Sequence, residues 1–162
     1  MGKSFDNDVM NTMPRYYVSI YLASSWRNEL QPEIVHYLRK NGYTRVYDFK
    51  RPPNGSAFSW KEVDSNYTHG KKIGADEYRK LLASPEAERG YQSDIGALCD
   101  CHVCLLVLPA GKSAAWEFGY AVAQGKKCGV IWFGDDEPDL MFRETTIIAN
   151  FAELDAFLDG VR

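Results

Sequence analysis

A single carboxylate in an otherwise small and apolar helix is the residue of this sequence best suited to chemistry. The helix is predicted to run over residues 112–124, and Glu117 is its only acidic residue. Residues three and four apart are neighbours on a helix surface, so Glu117 shares a side with Ser113 and Tyr120. The alanines and glycine around it leave room for a ligand. Glu117 is therefore a candidate nucleophile or base, and the alternative is an exposed glutamate without a role.

Two further residues are candidates for the same chemistry. Asp94 lies in the preceding predicted helix, with Ile95 and Leu98 as apolar neighbours. Tyr21 lies within the first predicted strand. For Asp94 the alternative is a solvated helix face, and for Tyr21 it is a core position with a satisfied hydroxyl.

The turn after the first strand contains side chains that suit ligand binding. Ser24, Trp26 and Arg27 follow the strand directly. An indole ring can stack on a nucleobase, and a guanidinium can bind an anion. The alternative is that Trp26 and Arg27 are rim residues of no function.

Two apparent motifs are excluded by their spacing, and a third is absent from the sequence. The Gly111-Lys112-Ser113 triplet would end a phosphate-binding loop only if a glycine stood five positions earlier, and Leu106 stands there. The cluster of Cys99, Cys101, His102 and Cys104 lacks the paired spacing of zinc sites and enters an apolar strand, so we expect small buried cysteines. No G-x-G-x-x-G occurs, and no metal or cofactor is expected.

Strands and helices alternate along the chain. The strands are predicted at Tyr16–Ala23, Thr44–Phe49, Val103–Leu108, Cys128–Phe133 and Thr145–Ile148. The helices are predicted at Glu29–Lys40, Ala75–Ala83, 85–99 with Ser84 as its N-cap, Lys112–Gln124 and Phe151–Leu158. The long segment Lys50–Gly74 is rich in Pro and Gly but carries aromatic residues, which favours a functional lid over a disordered loop.

This alternation predicts an α/β protein, a three-layer flavodoxin-like or Rossmann-like sandwich around a mostly parallel five-stranded sheet. Ligands of such sheets bind beyond the carboxyl ends of the strands, where the strand order reverses. The loops expected to form a site are therefore residues 24–28, 109–113 and 134–136.

Composition excludes several classes of protein. The 162 residues suit a flexible arm over residues 1–14 followed by one domain over residues 15–162. A net charge of −3 argues against a nucleic-acid partner, and no apolar run is long enough for a membrane span. Four cysteines without a visible signal peptide predict reduced thiols and a cytoplasmic location.

Three segments together resemble the nucleoside 2-deoxyribosyltransferase family. They are Ile20-Tyr21-Leu22-Ala23-Ser24-Ser25-Trp26, Ser93-Asp94-Ile95-Gly96-Ala97-Leu98, and Glu117-Phe118-Gly119-Tyr120-Ala121-Val122-Ala123-Gln124-Gly125-Lys126. The third resembles the most specific signature of the family, a glutamate followed by G-Y-A-x-A-x-G-K. The segments come in the family's order and spacing, and the resemblance spans residues 16–135.

The resemblance implies an enzyme that cleaves or exchanges the N-glycosidic bond of a nucleoside or nucleotide by a retaining double displacement. Glu117 would be the nucleophile, Tyr21 would hold and tune its carboxylate, and Asp94 would handle the proton of the leaving nucleobase. Ser24, Trp26, Arg27, Gly111 and Ser113 would line the substrate site. The resemblance also implies a homodimer or higher homo-oligomer.

Two departures from the family's pattern keep other functions open. Family transferases usually carry an acidic residue six positions before the nucleophile, where this chain has Gly111. Arg27 lies near the expected 5′ end of the sugar, where a cation would suit a 5′-phosphate. The alternatives are a nucleoside 5′-monophosphate N-glycosidase, a TIR-like NAD hydrolase, with which Trp116 beside Glu117 is compatible, and a non-catalytic nucleotide sensor.

Overall fold

Five parallel strands form the centre of the computed structural model, which describes residues 13–53, 55 and 57–160. They are β1 Ser19–Ala23, β2 Arg45–Tyr47, β3 Val103–Val107, β4 Lys127–Ile131 and β5 Thr146–Ile148. Their order is β2-β1-β3-β4-β5, and every adjacent pair is parallel. This is the flavodoxin-like order, so the predicted α/β fold is confirmed, with a sheet that is parallel throughout.

Helices cover both faces of the sheet. They are α1 Leu30–Lys40, α2 Trp60–Val63, α3 Ala75–Leu82, α4 Pro85–Asp100, α5 Lys112–Ala123 and α6 Phe151–Asp159. Successive strand residues point to opposite faces. Ile20 and Leu22 of β1 therefore belong to a core with α1 and α6, whereas Tyr21 and Ala23 belong to a second core with α4 and α5.

The sequence signals for the ends of helices are found where they were expected. The Ser84 side chain accepts a hydrogen bond from the backbone N–H of Ala87, and Pro85 occupies the first turn of α4. Gly42 follows α1 with a φ of 91°, a conformation that glycine adopts without strain. These caps fix where α1 and α4 meet the sheet.

Some predicted strand ends are wrong. Tyr16 and Tyr17 do not belong to β1 but to a 3-10 turn, in which the N–H of Tyr17 bonds the carbonyl of Pro14. Their rings stay exposed, so apolarity alone did not place them in the sheet. After β2, the carboxylate of Asp48 accepts a hydrogen bond from the N–H of Lys50, and this turn ends the strand at Tyr47, before the predicted strand residues Asp48 and Phe49.

Trp132 and Phe133 were also predicted in a strand, but they lie beyond the end of β4. The N–H of Trp132 still bonds the carbonyl of Ile148. The ring of Trp132 meets Phe142, and the ring of Phe133 meets Phe151. These aromatic contacts, rather than a continued strand ladder, account for the apolar character of the two positions.

The described part of the segment predicted as a long loop packs against α4. It contains α2, whose N-cap Ser59 forms a capping box with Glu62. The Arg89 side chain of α4 forms an ion pair with Glu62 at 2.8 Å. Phe58 lies directly over Gly90, where an added Cβ would come within 2.7 Å of the Phe58 ring. These contacts hold the segment against α4, the helix that carries Asp94. The interpretation of the segment as a lid stays a prediction.

Most of the predicted arm, residues 1–12, lies outside the described residues. Among the helices that the structure does describe, none has both the length and the apolar character needed to cross a membrane.

Candidate active site

Tyr21 lies at the strand pair where the order of the sheet reverses. It is paired in register with Tyr47 of β2 and Cys104 of β3, and its side chain is fully buried on the face covered by α4 and α5. Within the described chain, its hydroxyl makes no hydrogen bond of ordinary geometry. Burial, followed by the nearby charges of Glu117 and Asp94, raises the pKa of this phenol well above its usual range. Tyr21 is therefore a neutral donor directed at an acidic site.

Glu117 faces this tyrosine from α5. The helix begins at Lys112 directly after the β3 loop, which brings its first turns over the carboxyl ends of the strands. Glu117 is partly buried, and burial raises the pKa of its carboxyl to about 7. The charge of Asp94 adds to this rise, and the hydroxyl of Tyr21 opposes it by favouring the ionised form. Because this pKa lies near neutrality, the carboxyl of Glu117 can be protonated or ionised around pH 7.

Asp94 reaches the same site from α4. Burial raises the pKa of its carboxyl, and a hydrogen bond from Tyr47 lowers it. In that bond, the hydroxyl of Tyr47 donates to Oδ1 of Asp94 at 2.7 Å. The structure thus brings together Tyr21, Asp94 and Glu117, which come from three separate elements.

Sequence reasoning missed Tyr47. Its ring stacks on that of Tyr21, with the centroids 5.2 Å apart and an interplanar angle of 13°. The available signal was its position in the short apolar stretch before the long segment. That signal does not give the strand register, and the register is what places Tyr47 beside Tyr21.

The loop after β1 is held to the end of β3 by hydrogen bonds. Ser24 Oγ donates to the carbonyl of Val107 at 2.9 Å. The side-chain amide of buried Asn28 donates to the same carbonyl and to that of Pro109. Ser24 is therefore already engaged in holding the loop, and Asn28 is a structural residue that the sequence did not indicate.

The two other candidates in this loop point outwards. Trp26 is 53% exposed, and its ring forms a T-shaped pair with Phe49, at 5.2 Å between ring centroids. Arg27 is exposed as well, and its guanidinium forms no ion pair within the described residues. Lys50 lies nearby, because its Nζ donates to the carbonyl of Asn28 at 2.9 Å. Trp26, Arg27 and Lys50 thus lie together beyond the carboxyl ends of β1 and β2, and this entrance is called the mouth of the site.

Gly111 and Ser113 lie at the amino-terminal end of α5, and both are exposed. A Cβ added at Gly111 would meet no atom within 4 Å. The amino-terminal end of α5 is therefore accessible, and the N–H groups of its first turn favour a negatively charged or polar ligand.

The cysteines separate into two kinds. Cys101, Cys104 and Cys128 are buried in the core beneath the site, where burial raises the pKa of all three thiols, that of Cys101 to about 11. Cys99 is exposed, so its predicted burial is wrong, because it lies on the outer side of α4. In the described part of the chain, no group of three or more potential ligands is placed to hold a metal ion.

A cavity of about 560 Å³ lies near β4 and β5, where its lining residues Trp132 and Phe142 pack against the core that also contains Tyr21. Its walls are mainly apolar and are formed by Trp132, Pro138, Asp139, Leu140, Phe142, Arg143 and Ile147. None of the candidate residues lines it, but its lining residue Phe142 meets Phe118, the residue after Glu117.

No family model matches this sequence, and no curated protein matches it. Among solved structures, the chain is similar to a 2-deoxyribosyltransferase from the psychrotolerant bacterium Bacillus psychrosaccharolyticus, with a TM-score of 0.49 and 17% sequence identity. The similarity covers 87% of this chain and 96% of that chain. At this level it identifies no reaction, substrate or catalytic residue.

Proposed function

We propose that this protein is an enzyme that cleaves or exchanges the N-glycosidic bond of a nucleoside or nucleotide through Glu117. The observation that carries the proposal is the meeting of two partly buried carboxyls, Glu117 and Asp94, with the buried hydroxyl of Tyr21 at the order reversal of the sheet. Two carboxyls with different surroundings suit a reaction that needs one nucleophile and one proton donor.

In the first step, the ionised carboxylate of Glu117 attacks C1′ of the sugar. The bond from C1′ to the nucleobase nitrogen breaks, and its electron pair leaves with the base. The carboxyl of Asp94 supplies the proton that the departing base takes up. The negative charge of Glu117 stabilises the oxocarbenium-like transition state, and the sugar is then bound to Glu117 as a glycosyl ester.

In the second step, an acceptor attacks C1′ from the face that the first base has left. A nucleobase as acceptor loses its proton to Asp94 and forms a new nucleoside. Water as acceptor also loses one proton to Asp94 and gives the free sugar. The ester bond to Glu117 breaks and restores the carboxylate. Two inversions at C1′ give retained configuration.

The surrounding residues are assigned by their positions at the mouth of the site. Trp26 presents an exposed ring for stacking on the base, and Ser24 shapes the loop that carries it. Gly111 and Ser113 leave the start of α5 accessible to the sugar. The hydroxyl of Tyr21 favours the ionised form of Glu117.

A nucleoside 5′-monophosphate is the second candidate substrate, because cations stand at the mouth. Arg27 is exposed, and Lys50 is anchored to the backbone of the same loop. A guanidinium and an ammonium that contact the same ligand suit a phosphate dianion. The variant Arg27→Gln is expected to raise KM for a monophosphate about tenfold or more and to leave KM for the nucleoside unchanged.

Chromatographic product analysis tests the proposal. Wild type, Glu117→Ala and the exposed control Glu137→Ala are incubated with deoxynucleosides, their monophosphates and NAD, with and without an acceptor base. A new nucleoside formed only with acceptor indicates a transferase, and free base without acceptor indicates a hydrolase. Glu117→Ala should lose roughly a thousandfold or more in turnover but retain binding, whereas Glu137→Ala should match wild type. Intact substrates with wild type would contradict the proposal, and release of nicotinamide would favour the TIR-like alternative.

The pH dependence gives a further test. The active form of the Glu117–Asp94 pair holds one proton, because Glu117 must be ionised while Asp94 carries the acid proton. The pKa of Glu117, about 7, is raised by the charge of Asp94, so it describes loss of the last proton of the pair, and kcat/KM is expected to fall above about pH 7. Asp94→Asn removes both the acid and the charge that raises this pKa, so the activity that remains should no longer fall above pH 7. The same fall above pH 7 in this variant would contradict the assignment of Glu117 as nucleophile and Asp94 as acid.

We also propose that the protein forms a homodimer or higher homo-oligomer, as the family resemblance implies. Light scattering coupled to size-exclusion chromatography measures the mass of the particle directly. A particle of one chain, 18.4 kDa, at micromolar concentration would contradict this proposal.

A further inference from the structure

Tyr47 connects the two sides of the candidate site. It is the last residue of β2, and its ring is stacked on Tyr21 of the neighbouring strand. Its side chain also extends to α4, where it meets Ser93 and Asp94. No other hydrogen bond within the described residues reaches the carboxyl of Asp94.

The direction of these hydrogen bonds follows from the number of protons. The hydroxyl of Tyr47 has one proton, and it donates that proton to Oδ1 of Asp94 at 2.7 Å. The Ser93 Oγ, 3.0 Å from the same hydroxyl, must then donate to Tyr47. The result is a directed chain from Ser93 through Tyr47 to a single oxygen of Asp94.

We propose that Tyr47 is a positioning residue that holds Oδ1 of Asp94 as a hydrogen-bond acceptor, so that Oδ2 carries the acid proton toward a neutral leaving nucleobase. This inference rests on the proposed function and assigns it a substrate class, nucleosides whose base must be protonated to leave. The stacked ring of Tyr21 fixes the plane of Tyr47, which keeps the donor aligned.

The ionisation of Asp94 depends on groups from three elements. Tyr47 of β2 donates to it, while Glu117 of α5 and Tyr21 of β1 interact with its charge. The variant Tyr47→Phe removes only the donor, and the phenyl ring still stacks on Tyr21. Because the lost bond favours the ionised form, the carboxyl of Asp94 should titrate at higher pH in the variant.

The first test needs no activity. The protein is labelled with ¹³C at the aspartate carboxyl, and Asp94 is identified by the signal that disappears in Asp94→Asn. The titration is compared in wild type, Tyr47→Phe and Tyr91→Phe, whose exposed ring lies on α4. Titration of Asp94 at higher pH in Tyr47→Phe, with Tyr91→Phe unchanged, is the expected result. An unchanged titration in Tyr47→Phe would overturn the proposal, and it would do so even if no substrate of the protein were known.

The second test uses the leaving group. A neutral purine deoxynucleoside needs the acid, whereas an N7-methylated guanine deoxynucleoside carries a cationic base that leaves without a proton. Tyr47→Phe should slow the first roughly tenfold and leave the second within twofold of wild type. Equal losses on both would show a structural role and overturn the proposal, as would no loss on either. If wild type acts on neither, the proposed function fails, and the titration still decides the role of Tyr47.

Discussion

Replacing Glu117 with glutamine should make the protein more stable at alkaline pH. The carboxyl of Glu117 has a raised pKa in the folded protein because it is buried beside Asp94. A carboxyl with a raised folded pKa binds its proton more tightly in the folded state than in the unfolded state. The folded protein therefore loses stability as the pH rises from the unfolded pKa through the folded pKa. Glutamine has nearly the same shape and carries no charge, so Glu117→Gln removes this loss.

The size of the effect follows from the two pKa values. The pKa of Glu117 is raised from 4.5 to about 7. Fully developed, that difference corresponds to about 3 kcal/mol of unfolding free energy. Near pH 5 little of the loss has developed, whereas at pH 8 it is nearly complete. Relative to wild type, the variant should therefore gain about 2 to 3 kcal/mol between pH 5 and pH 8.

Urea unfolding at the two pH values measures this gain as a double difference. Subtracting the pH 5 difference from the pH 8 difference cancels groups that titrate in the same way in both proteins. Glu137→Gln, an exposed loop position, is the control for deletion of one charge. A double difference below about 0.5 kcal/mol for Glu117→Gln, or an equal one for Glu137→Gln, would refute this account of Glu117.

Two further variants test the surroundings of the site. Tyr21→Phe removes a buried hydroxyl without an ordinary partner, so urea unfolding should show unchanged stability or a gain of about 1 kcal/mol. The same variant should move the fall of kcat/KM to higher pH, because the hydroxyl favours ionised Glu117 and its loss raises that pKa, and an unmoved fall would contradict its role. Gly90→Ala should lower stability by about 1 to 2 kcal/mol, because the new Cβ collides with Phe58. Gly96→Ala in the same helix is the control, since its Cβ meets nothing within 4 Å, and equal thermal unfolding of the two variants would contradict the collision.

The fold followed from the sequence where local signals agreed with each other. The apolar run of β3 and the Ser84-Pro85 start of α4 predicted both elements closely, since burial on both faces and helix capping are local properties. The ends of β1 and β4 were predicted less well. Tyr16 and Trp132 are as apolar as strand residues, and only the tertiary structure shows that their rings pack elsewhere or stay exposed.

The residues of the candidate site also differ in whether local sequence signals indicated them. Glu117 was selected from its helix alone, because a lone carboxylate among small residues is visible in one element. Tyr47 was missed because its role depends on the register between β1 and β2 and on the approach of α4. Asn28 was missed for a related reason, since its partners are carbonyls at the end of a distant strand. Contacts that join separate elements are set by the fold and leave little trace in a single sequence.

The most direct test of the central claim is mass spectrometry of a trapped intermediate. A deoxynucleoside with fluorine at C2′ destabilises the oxocarbenium-like transition state and slows release of the sugar from the enzyme. After incubation and proteolysis, we expect the added mass of one fluorinated sugar on the peptide that contains Glu117, and none in Glu117→Gln. The sugar on another carboxylate, or free base released by wild type without any labelled peptide, would contradict a covalent role for Glu117.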